Sequence, residues 1–250
     1  MAGTAVLGRL SWLAADVAGT VEETPRVRTL LLDVDGWPGH RAGQHVDVRL
    51  TAEDGYQAER SYSIASAPGE RLAITVERLD EGEVSPYLVD EIRAGDRFEI
   101  RGPIGGYFVW EAADAPEPLL LVAGGSGVVP LMAMIRHRAT AGSEVPTRLL
   151  YSSPTLEDVI YREELAALAE KRNGFEVFHT LTRSRPAGWM GFSRRVDPGI
   201  LAQVAWPPSQ RARVFVCGST RFVDTVADGL VELGYDPQRI KTERFGATGS

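Results

Sequence analysis

The sequence predicts two domains of different class, an antiparallel β-barrel followed by a parallel β-sheet with helices on both faces. In the first half, short strand-like segments alternate with turn sequences. In the second half, buried strand-like runs alternate with longer helical segments. Residues 112–118 lie between the two patterns and contain two prolines, which is typical of a linker. We therefore expect domains at residues 1–112 and 113–250.

Five segments of the first half have strand length and a β-branched or alternating composition: residues 27–34, 44–50, 57–65, 72–78 and 96–100. Dipeptides such as Asp35-Gly36 and Asp54-Gly55 separate them and are typical of turns. One short helix is predicted over residues 84–91. Many short strands with frequent turns favour an antiparallel barrel.

The second half is predicted to contain strands at residues 119–123, 147–152, 175–181 and 214–217, and helices at residues 131–140, 156–171 and 222–233. Strands that alternate with helices imply a parallel sheet covered on both faces. In such a sheet, ligands bind at the carboxyl ends of the strands.

Composition excludes several classes of protein. The chain has 250 residues, 44% of them apolar and 24% charged, as in globular domains. A net charge of -7 argues against nucleic acid as a partner. We expect no membrane span, because no run of 18 uncharged apolar residues occurs. Arg9 interrupts the apolar start and no cleavage site follows, so we expect no signal peptide and a cytoplasmic location.

The chain's single cysteine, Cys217, excludes an internal disulfide and any cysteine-held metal or iron-sulfur centre, so we expect no metal site. Any cluster would belong to a partner. Charge is also uneven: residues 1–112 hold 11 basic and 19 acidic side chains, whereas residues 113–250 hold 16 and 15. The more basic second half suits an anionic ligand, although a solvated surface is the simpler explanation of any one charge.

The strongest local signal is Arg60-Ser61-Tyr62-Ser63, at the end of a predicted barrel strand. An arginine can fork onto a phosphate, a tyrosine can lie against a ring, and a serine can hydrogen-bond a ring nitrogen. Strand alternation places residues 60 and 62 on one face and residues 61 and 63 on the other. Alone, this tetrapeptide is a weak signal, because such strings also occur by chance in ordinary surface strands.

This tetrapeptide and the Ile-Ala-Ser after it resemble the flavin motif of the ferredoxin-NADP reductase family, and the resemblance covers essentially the whole chain. It implies an FAD-binding barrel followed by a Rossmann-like NAD(P)-binding domain. It also implies that Arg60 holds the FAD pyrophosphate, that Tyr62 packs on the isoalloxazine or ribityl portion, and that Ser63 lies near flavin N5. Ser61 is included in the predicted cofactor site.

Three further segments of the first half resemble parts of the family's flavin site. Residues 74–78 resemble the strand beside the flavin, which implies that Val76 and Arg78 help to hold the FAD ribose and pyrophosphate. Residues 102–108 resemble the glycine-containing segment that closes the barrel. The third segment, residues 83–88, resembles the helix start that meets the pyrophosphate, which adds Glu83, Val84 and Ser85 to the predicted site. A helix N-terminus favours anions, and Ser85 is placed to cap it. The same sequence pattern is also expected for a capped surface helix that binds no ligand.

A glycine-rich turn joins the first strand of the second half to its first helix. Gly124, Gly125 and Gly127 would let the backbone approach a pyrophosphate, and the helix dipole would favour its charge. Pro130 replaces the last glycine of the usual dinucleotide fingerprint and suits a first helical turn. In the family that the chain resembles, this turn binds the NAD(P)H pyrophosphate.

Two segments near the C-terminus supply the remaining candidates. Cys217-Gly218 resembles the family's motif near the reacting nicotinamide, although a buried single cysteine is usually a small apolar residue. Phe245 resembles the aromatic residue that shields the flavin face. Glu243 is a candidate proton relay or structural partner near Ser63, the alternative being a solvated surface acid. The predicted catalytic residues are therefore Ser63, Cys217, Glu243 and Phe245.

NADPH is the predicted nucleotide, with NADH possible. In dinucleotide folds, an acid at the end of the second strand binds the 2'-hydroxyl of NADH, and residues 151–154 supply no acid. Thr182-Arg183 resembles the pair that holds the 2'-phosphate in NADPH-using members. Arg194 follows in the same basic stretch.

The resemblance implies an FAD-dependent NAD(P)H oxidoreductase that passes a hydride from nicotinamide C4 to flavin N5. Electrons would then reach a ferredoxin, an oxygenase component or another redox protein. Two alternatives stay open: a flavin or ferric reductase acting on free small acceptors, and a non-catalytic flavin-carrying relay subunit. A relic without cofactor is disfavoured, because five motifs occur in the family's order.

Overall fold

The first half of the computed structural model, which describes residues 10–113 and 117–245, is an antiparallel six-stranded sheet in the order β4-β3-β6-β1-β2-β5. The strands are β1 (Trp12–Thr24), β2 (Val27–Val34), β3 (His45–Thr51), β4 (Gln57–Ser63), β5 (Leu72–Glu77) and β6 (Arg97–Ile104). The outer strands meet through a bridge between Ile64 and Ile74, and the Ala65 N–H donates to the Ala73 carbonyl at 2.7 Å. These contacts close the sheet into the predicted barrel.

The second half is a five-stranded parallel sheet in the order β11-β10-β7-β8-β9. Its strands are β7 (Leu119–Gly124), β8 (Thr147–Ser153), β9 (Phe175–Leu181), β10 (Arg213–Gly218) and β11 (Ile240–Arg244). The helices are α1 (Val128–Thr140), α2 (Arg162–Glu170), α3 (Pro198–Val204) and α4 (Thr220–Glu232). One core packs with α1 and α2 and another with α3 and α4, so both faces of the sheet are covered.

Two strands and one α-helix of the described residues were not predicted. Strand β1 is long but contains Gly19 and a register shift between Val17 and Gly19, which breaks the alternation on which strand prediction relies. Strand β11 buries only Ile240 fully. Helix α3 starts at a proline after an Asp197 cap, a recognisable helix-start signal in only seven residues.

A short helix is present where one was predicted over residues 84–91, and most of it is a π-helix. The structure has a five-residue π-helix, Tyr87–Glu91, in which the Ile92 N–H donates to the Tyr87 carbonyl at 3.1 Å. Pro86 occupies the cap position, and no side chain caps the helix. The Ser85 hydroxyl instead accepts from the Leu79 N–H at 3.1 Å, so the predicted Ser85 cap is wrong.

Helix α2 begins at Arg162, six residues later than predicted. Tyr161, immediately before it, has a left-handed backbone with φ 58°. An isolated left-handed residue cannot continue a right-handed helix, so the helix starts after it.

A shared apolar core joins the two halves. It combines barrel-side residues such as Ala42, Ala65 and Trp110 with residues of α1 and β7 such as Met132 and Leu121. The last barrel strand ends at residue 104 and the next sheet begins at residue 119. The domain boundary after residue 112 stays a prediction.

No helix in the described part of the chain combines the length and the apolar character needed to cross a membrane. The same residues hold no group of three or more His, Cys, Asp or Glu side chains that could bind a metal ion.

Candidate active site

The end of β4 presents Arg60 and Tyr62 at the rim of the barrel. Tyr62 packs against the barrel core, and this burial raises the pKa of its phenol. The exposed Arg60 guanidinium lies 3.4 Å from a carboxylate oxygen of Glu83, and the Tyr56 hydroxyl donates to the other oxygen at 3.2 Å. The guanidinium also donates to the Glu59 carbonyl at 2.7 Å. An exposed arginine with a single long ion pair can exchange its carboxylate partner for a phosphate.

Ser63 lies opposite His45 in the β3–β4 register and is 5% exposed. Its hydroxyl oxygen has no hydrogen-bond partner among the described residues. A buried hydroxyl without a partner costs about 1–3 kcal/mol, so the arrangement fits a bound group that completes the bond, such as a flavin ring. The sequence did not indicate His45, whose pKa is lowered by burial and which is therefore neutral at pH 7.

Three other predicted cofactor residues already have structural roles. The Ser61 hydroxyl donates to Asp47 at 2.6 Å on the outer face of the sheet. Val76 is fully buried in the barrel core, so only its backbone can meet a ligand. Arg78 donates to Asp90 at 2.7 Å and also contacts Asp80. Their cofactor roles stay predictions.

The glycine turn between β7 and α1 restricts side chains at Gly124 and Gly127 by close contacts and at Gly125 by backbone conformation. Gly125 adopts φ +55°, a conformation that favours glycine. A Cβ on Gly127 would lie 2.7 Å from the Gly218 nitrogen and closer still to the Cys217 carbonyl group. Gly124 packs on the ring of Phe222, which sequence reasoning missed because it reads as an ordinary residue of an amphipathic helix. The turn therefore leaves its backbone open toward a ligand.

Cys217 and Glu243 are neighbours across β10 and β11, paired in register. Burial, reinforced by the Glu243 carboxylate, raises the pKa of the Cys217 thiol well above its usual value. The thiol is thus protonated at neutral pH and unsuited to nucleophilic chemistry. The Phe245 N–H donates to the Gly218 carbonyl at 2.9 Å, and its ring is half-buried against the shared core.

Glu243 is not a solvated surface acid. Its Oε2 is buried without a hydrogen-bond partner among the described residues, and burial raises the pKa of its carboxyl to about 7. Near neutral pH this group therefore exists in both protonation states, as a proton donor or acceptor must.

The stability of the protein should depend on pH through Glu243. Between the usual pKa of 4.5 and the folded value of about 7, the folded protein holds a proton that the unfolded chain has released. The free energy of unfolding therefore falls as pH rises through this window. We expect thermal unfolding to show a smaller decline across the window in Glu243→Gln than in the wild type. The exposed Glu232→Gln is the control, and identical pH profiles for wild type and Glu243→Gln would contradict the prediction.

The ends of β8 and β9 are held together by the backbone. The Thr182 N–H donates to the Ser153 carbonyl at 3.0 Å, and the Arg183 N–H donates to the Pro154 carbonyl at 2.8 Å. The side chain of Arg183 is exposed at this edge. The Arg194 guanidinium donates to Asp197 at 2.6 Å, which neutralises its charge locally. Of the predicted 2'-phosphate residues, Arg183 is thus the better placed.

A cavity of about 1030 Å³ also lies between the two halves, lined by residues of β1, β2, α1 and α2. None of the predicted site residues lines it. The candidate site is therefore the region around Ser63, the glycine turn and Cys217.

The unpartnered Ser63 hydroxyl fits a flavin, and the glycine turn fits a nucleotide pyrophosphate. Together with the barrel and the parallel sheet, these features define the class: a two-domain oxidoreductase that binds FAD and a nicotinamide nucleotide. Family models agree with this class. Residues 22–109 match the oxidoreductase FAD-binding domain, and residues 121–228 match the oxidoreductase NAD-binding domain.

Curated relatives identify the family. The chain is 34% identical over 210 residues to ferredoxin--NADP reductase B of Sorangium cellulosum, covering 82% of this chain and 84% of that protein. It is 31% identical over 235 residues to the glycine betaine monooxygenase reductase subunit of Chromohalobacter salexigens, covering 91% of this chain and 62% of that subunit. The chain belongs to the ferredoxin-NADP reductase family of flavoproteins.

Solved structures share the fold. The cytochrome P450 reductase GcoB from Amycolatopsis superposes with a TM-score of 0.81 at 25% identity, over 97% of this chain and 73% of GcoB. A ferredoxin NADP+ reductase from Neisseria gonorrhoeae with bound FAD and NADP gives a TM-score of 0.80 at 21% identity, over 93% and 98% of the two chains. The present chain spans about three fifths of the glycine betaine monooxygenase reductase subunits, 62% in one case and 57% in others.

Proposed function

We propose that this chain accepts a hydride from NADPH, or less readily from NADH, on FAD and passes the electrons to a ferredoxin, an oxygenase component or another redox protein. The observation that carries the proposal is the buried, unpartnered hydroxyl of Ser63 at the end of the flavin-motif strand. The protein partner is supported by relatives named as a ferredoxin reductase and as reductase subunits of a monooxygenase.

Each residue has a task that its surroundings support. Arg60 would bind the FAD pyrophosphate by giving up its long contact with Glu83. Ser63 would donate or accept one hydrogen bond at the flavin ring. Bound FAD would supply the acceptor for the hydride, which is chemistry that the side chains cannot perform.

On the nucleotide side, the glycine turn would bind the pyrophosphate through backbone N–H groups. Cys217, neutral and buried, would keep water away from the reacting face. Glu243 would hold a proton at its unpartnered Oε2. Phe245 would cover the site until the nicotinamide enters.

The visible spectrum of the purified protein, followed by anaerobic titration with NADPH and NADH, tests this function. We expect a flavin spectrum that bleaches on addition of NADPH. A colourless protein that takes up no added FAD would overturn the proposal. Reduction of an added ferredoxin faster than free FMN supports a protein acceptor, whereas the reverse supports a flavin reductase. Failure with ferricyanide would favour the passive relay subunit.

The choice of NADPH should depend on Arg183. A charged hydrogen bond to the 2'-phosphate contributes about 1.5–3 kcal/mol, so Arg183→Ala should raise the KM for NADPH at least about tenfold and leave that for NADH unchanged. Steady-state kinetics with both nucleotides measure this. Lys171→Ala is the matched control, because it removes an exposed charge before β9 rather than after it. Equal changes for both nucleotides would argue against a 2'-phosphate site.

A further inference from the structure

Helix α1 links the nucleotide turn to the flavin motif through one side chain. The helix begins directly after Gly125–Gly127 and carries Arg136 two turns further on. The Arg136 Nη1 donates to the Ala65 carbonyl at 2.8 Å, two residues beyond Ser63. A displacement of α1 relative to the barrel must therefore break this bond.

The Arg136 guanidinium is fixed from two further directions. It donates a fork of two hydrogen bonds to the Glu164 carboxylate, at 2.9 Å and 2.6 Å. It also lies over the Tyr161 ring, 4.8 Å from the centroid. A forked carboxylate pair and a ring face together define the orientation of the planar group, which lysine could not reproduce.

Tyr161 carries a second link into the barrel. Its hydroxyl donates to the Thr75 hydroxyl, Thr75 and Thr29 hydroxyls are 2.8 Å apart, and Thr29 donates to Glu23 at 2.7 Å. Because Thr29 donates to Glu23, Thr75 must donate to Thr29. The hydrogen bonds thus run in one direction, from Tyr161 through β5 and β2 to a carboxylate on β1.

The backbone of Tyr161 adopts an unfavourable conformation where it makes this contact. Its φ of 58° is in the left-handed region, which is unfavourable for a residue with a side chain and persists only where the surroundings enforce it. Tyr161 is only 3% exposed, between the two domains.

Both links reach the point where the barrel closes. The closing bridge joins Ile64 to Ile74. Arg136 contacts Ala65, the neighbour of Ile64, and Tyr161 contacts Thr75, the neighbour of Ile74. The same short segments contain Ser63 and Val76, two of the predicted flavin residues. The nucleotide domain therefore contacts both strands of the bridge that closes the barrel, and the flavin is expected to bind beside this bridge.

We propose that Arg136 and Tyr161 are positioning residues for hydride transfer: together with Glu164 and Thr75 they form an interdomain latch that sets the nicotinamide against the flavin. The latch rests on the proposed function, because it presupposes transfer between the two cofactors. A misplacement of about 1 Å can cost about 10²-fold in rate. Loosening the latch should therefore slow transfer without preventing either cofactor from binding.

Tyr161→Phe tests the latch, because it deletes the hydroxyl and keeps the ring. In anaerobic stopped-flow experiments on the FAD-loaded protein, we expect flavin reduction at saturating NADPH to slow about tenfold, with flavin content and KM nearly unchanged. Thr75→Val should slow it similarly, and Thr75→Ser should restore the wild-type rate. If Tyr161→Phe fails to fold, Thr75→Val tests the latch in its place.

Tyr235→Phe is the matched control. Tyr235 is 5% exposed, and its hydroxyl donates to the Trp206 carbonyl on the other face of the same sheet. This variant should lose thermal stability and keep the wild-type rate of flavin reduction.

Two results would overturn the latch. One is wild-type rates in both Tyr161→Phe and Thr75→Val. The other is slowing in Tyr235→Phe equal to that in Tyr161→Phe, which would indicate a general loss of stability. Failure of the proposed function looks different, because wild-type flavin would then stay oxidised with either nucleotide.

Discussion

Gly127→Ala should lose at least about 10²-fold in the rate of flavin reduction by NADPH while keeping its FAD, the loss expected for a displacement near 1 Å. The added Cβ would overlap the Cys217 carbonyl group and lie 2.7 Å from the Gly218 nitrogen. These backbone atoms cannot retreat easily, because β10 is paired on both sides, with β7 and with β11. Either the glycine turn or the end of β10 must move.

The measurement is anaerobic stopped-flow reduction, with flavin content read from the absorbance spectrum of each purified variant. Gly19→Ala is the control, since its Cβ would meet only the Leu31 Cδ1, at an ordinary 3.8 Å. A Gly127→Ala protein that is reduced within twofold of the wild-type rate would show that the close approach of the turn to β10 has no bearing on catalysis.

Arg60→Ala should raise the Kd for FAD by about 10- to 100-fold, because a charged hydrogen bond to phosphate contributes about 1.5–3 kcal/mol. The structure leaves this guanidinium exposed, with surface contacts to the Glu59 carbonyl at 2.7 Å and to Glu83 at 3.4 Å, so its loss removes little from the fold itself. Quenching of flavin fluorescence on titration into flavin-stripped protein measures the affinity.

Arg97→Ala is the control for Arg60→Ala. Arg97 is also an exposed arginine of the barrel, and it is paired with Asp16 at 2.6 Å on the outer face. Unchanged flavin affinity in Arg60→Ala would remove this residue from the cofactor site. A parallel loss in both variants would point to a general effect of charge.

The fold was predictable where side chains repeat with the period of one element. Strands β2 and β9 were predicted with the bounds that the structure shows, because both are continuous apolar or alternating runs. Strand β11 was missed because four of its five residues are polar and only Ile240 is fully buried. Tertiary pairing with β10, which no local pattern encodes, makes it a strand.

The candidate site was predictable only in part, for a related reason. Arg60, Ser63 and Cys217 belong to short motifs that a sequence displays directly. The register that pairs Cys217 with Glu243 depends on two strands separated by α4, and it could not be derived from spacing. The raised pKa of Glu243 follows from burial, which a residue near the chain terminus did not suggest.

The interdomain contacts were even less predictable from the sequence than the candidate site. Tyr161 is not glycine, asparagine or aspartate, so nothing marks it as left-handed. The Ser85 cap failed for the opposite reason: a strong local signal was present, but its hydroxyl was taken by the Leu79 N–H.

The burial of Cys217 makes the rate of its chemical labelling a measure of local opening in this protein. A thiol that is fully buried and held protonated resists alkylating reagents, and it is the chain's one cysteine. Labelling can therefore proceed only when the end of β10 separates from its neighbours. The rate at which a maleimide modifies the native protein would then report how often this edge of the sheet opens. A nucleotide that binds at this edge should lower the labelling rate, and no engineered reporter is needed.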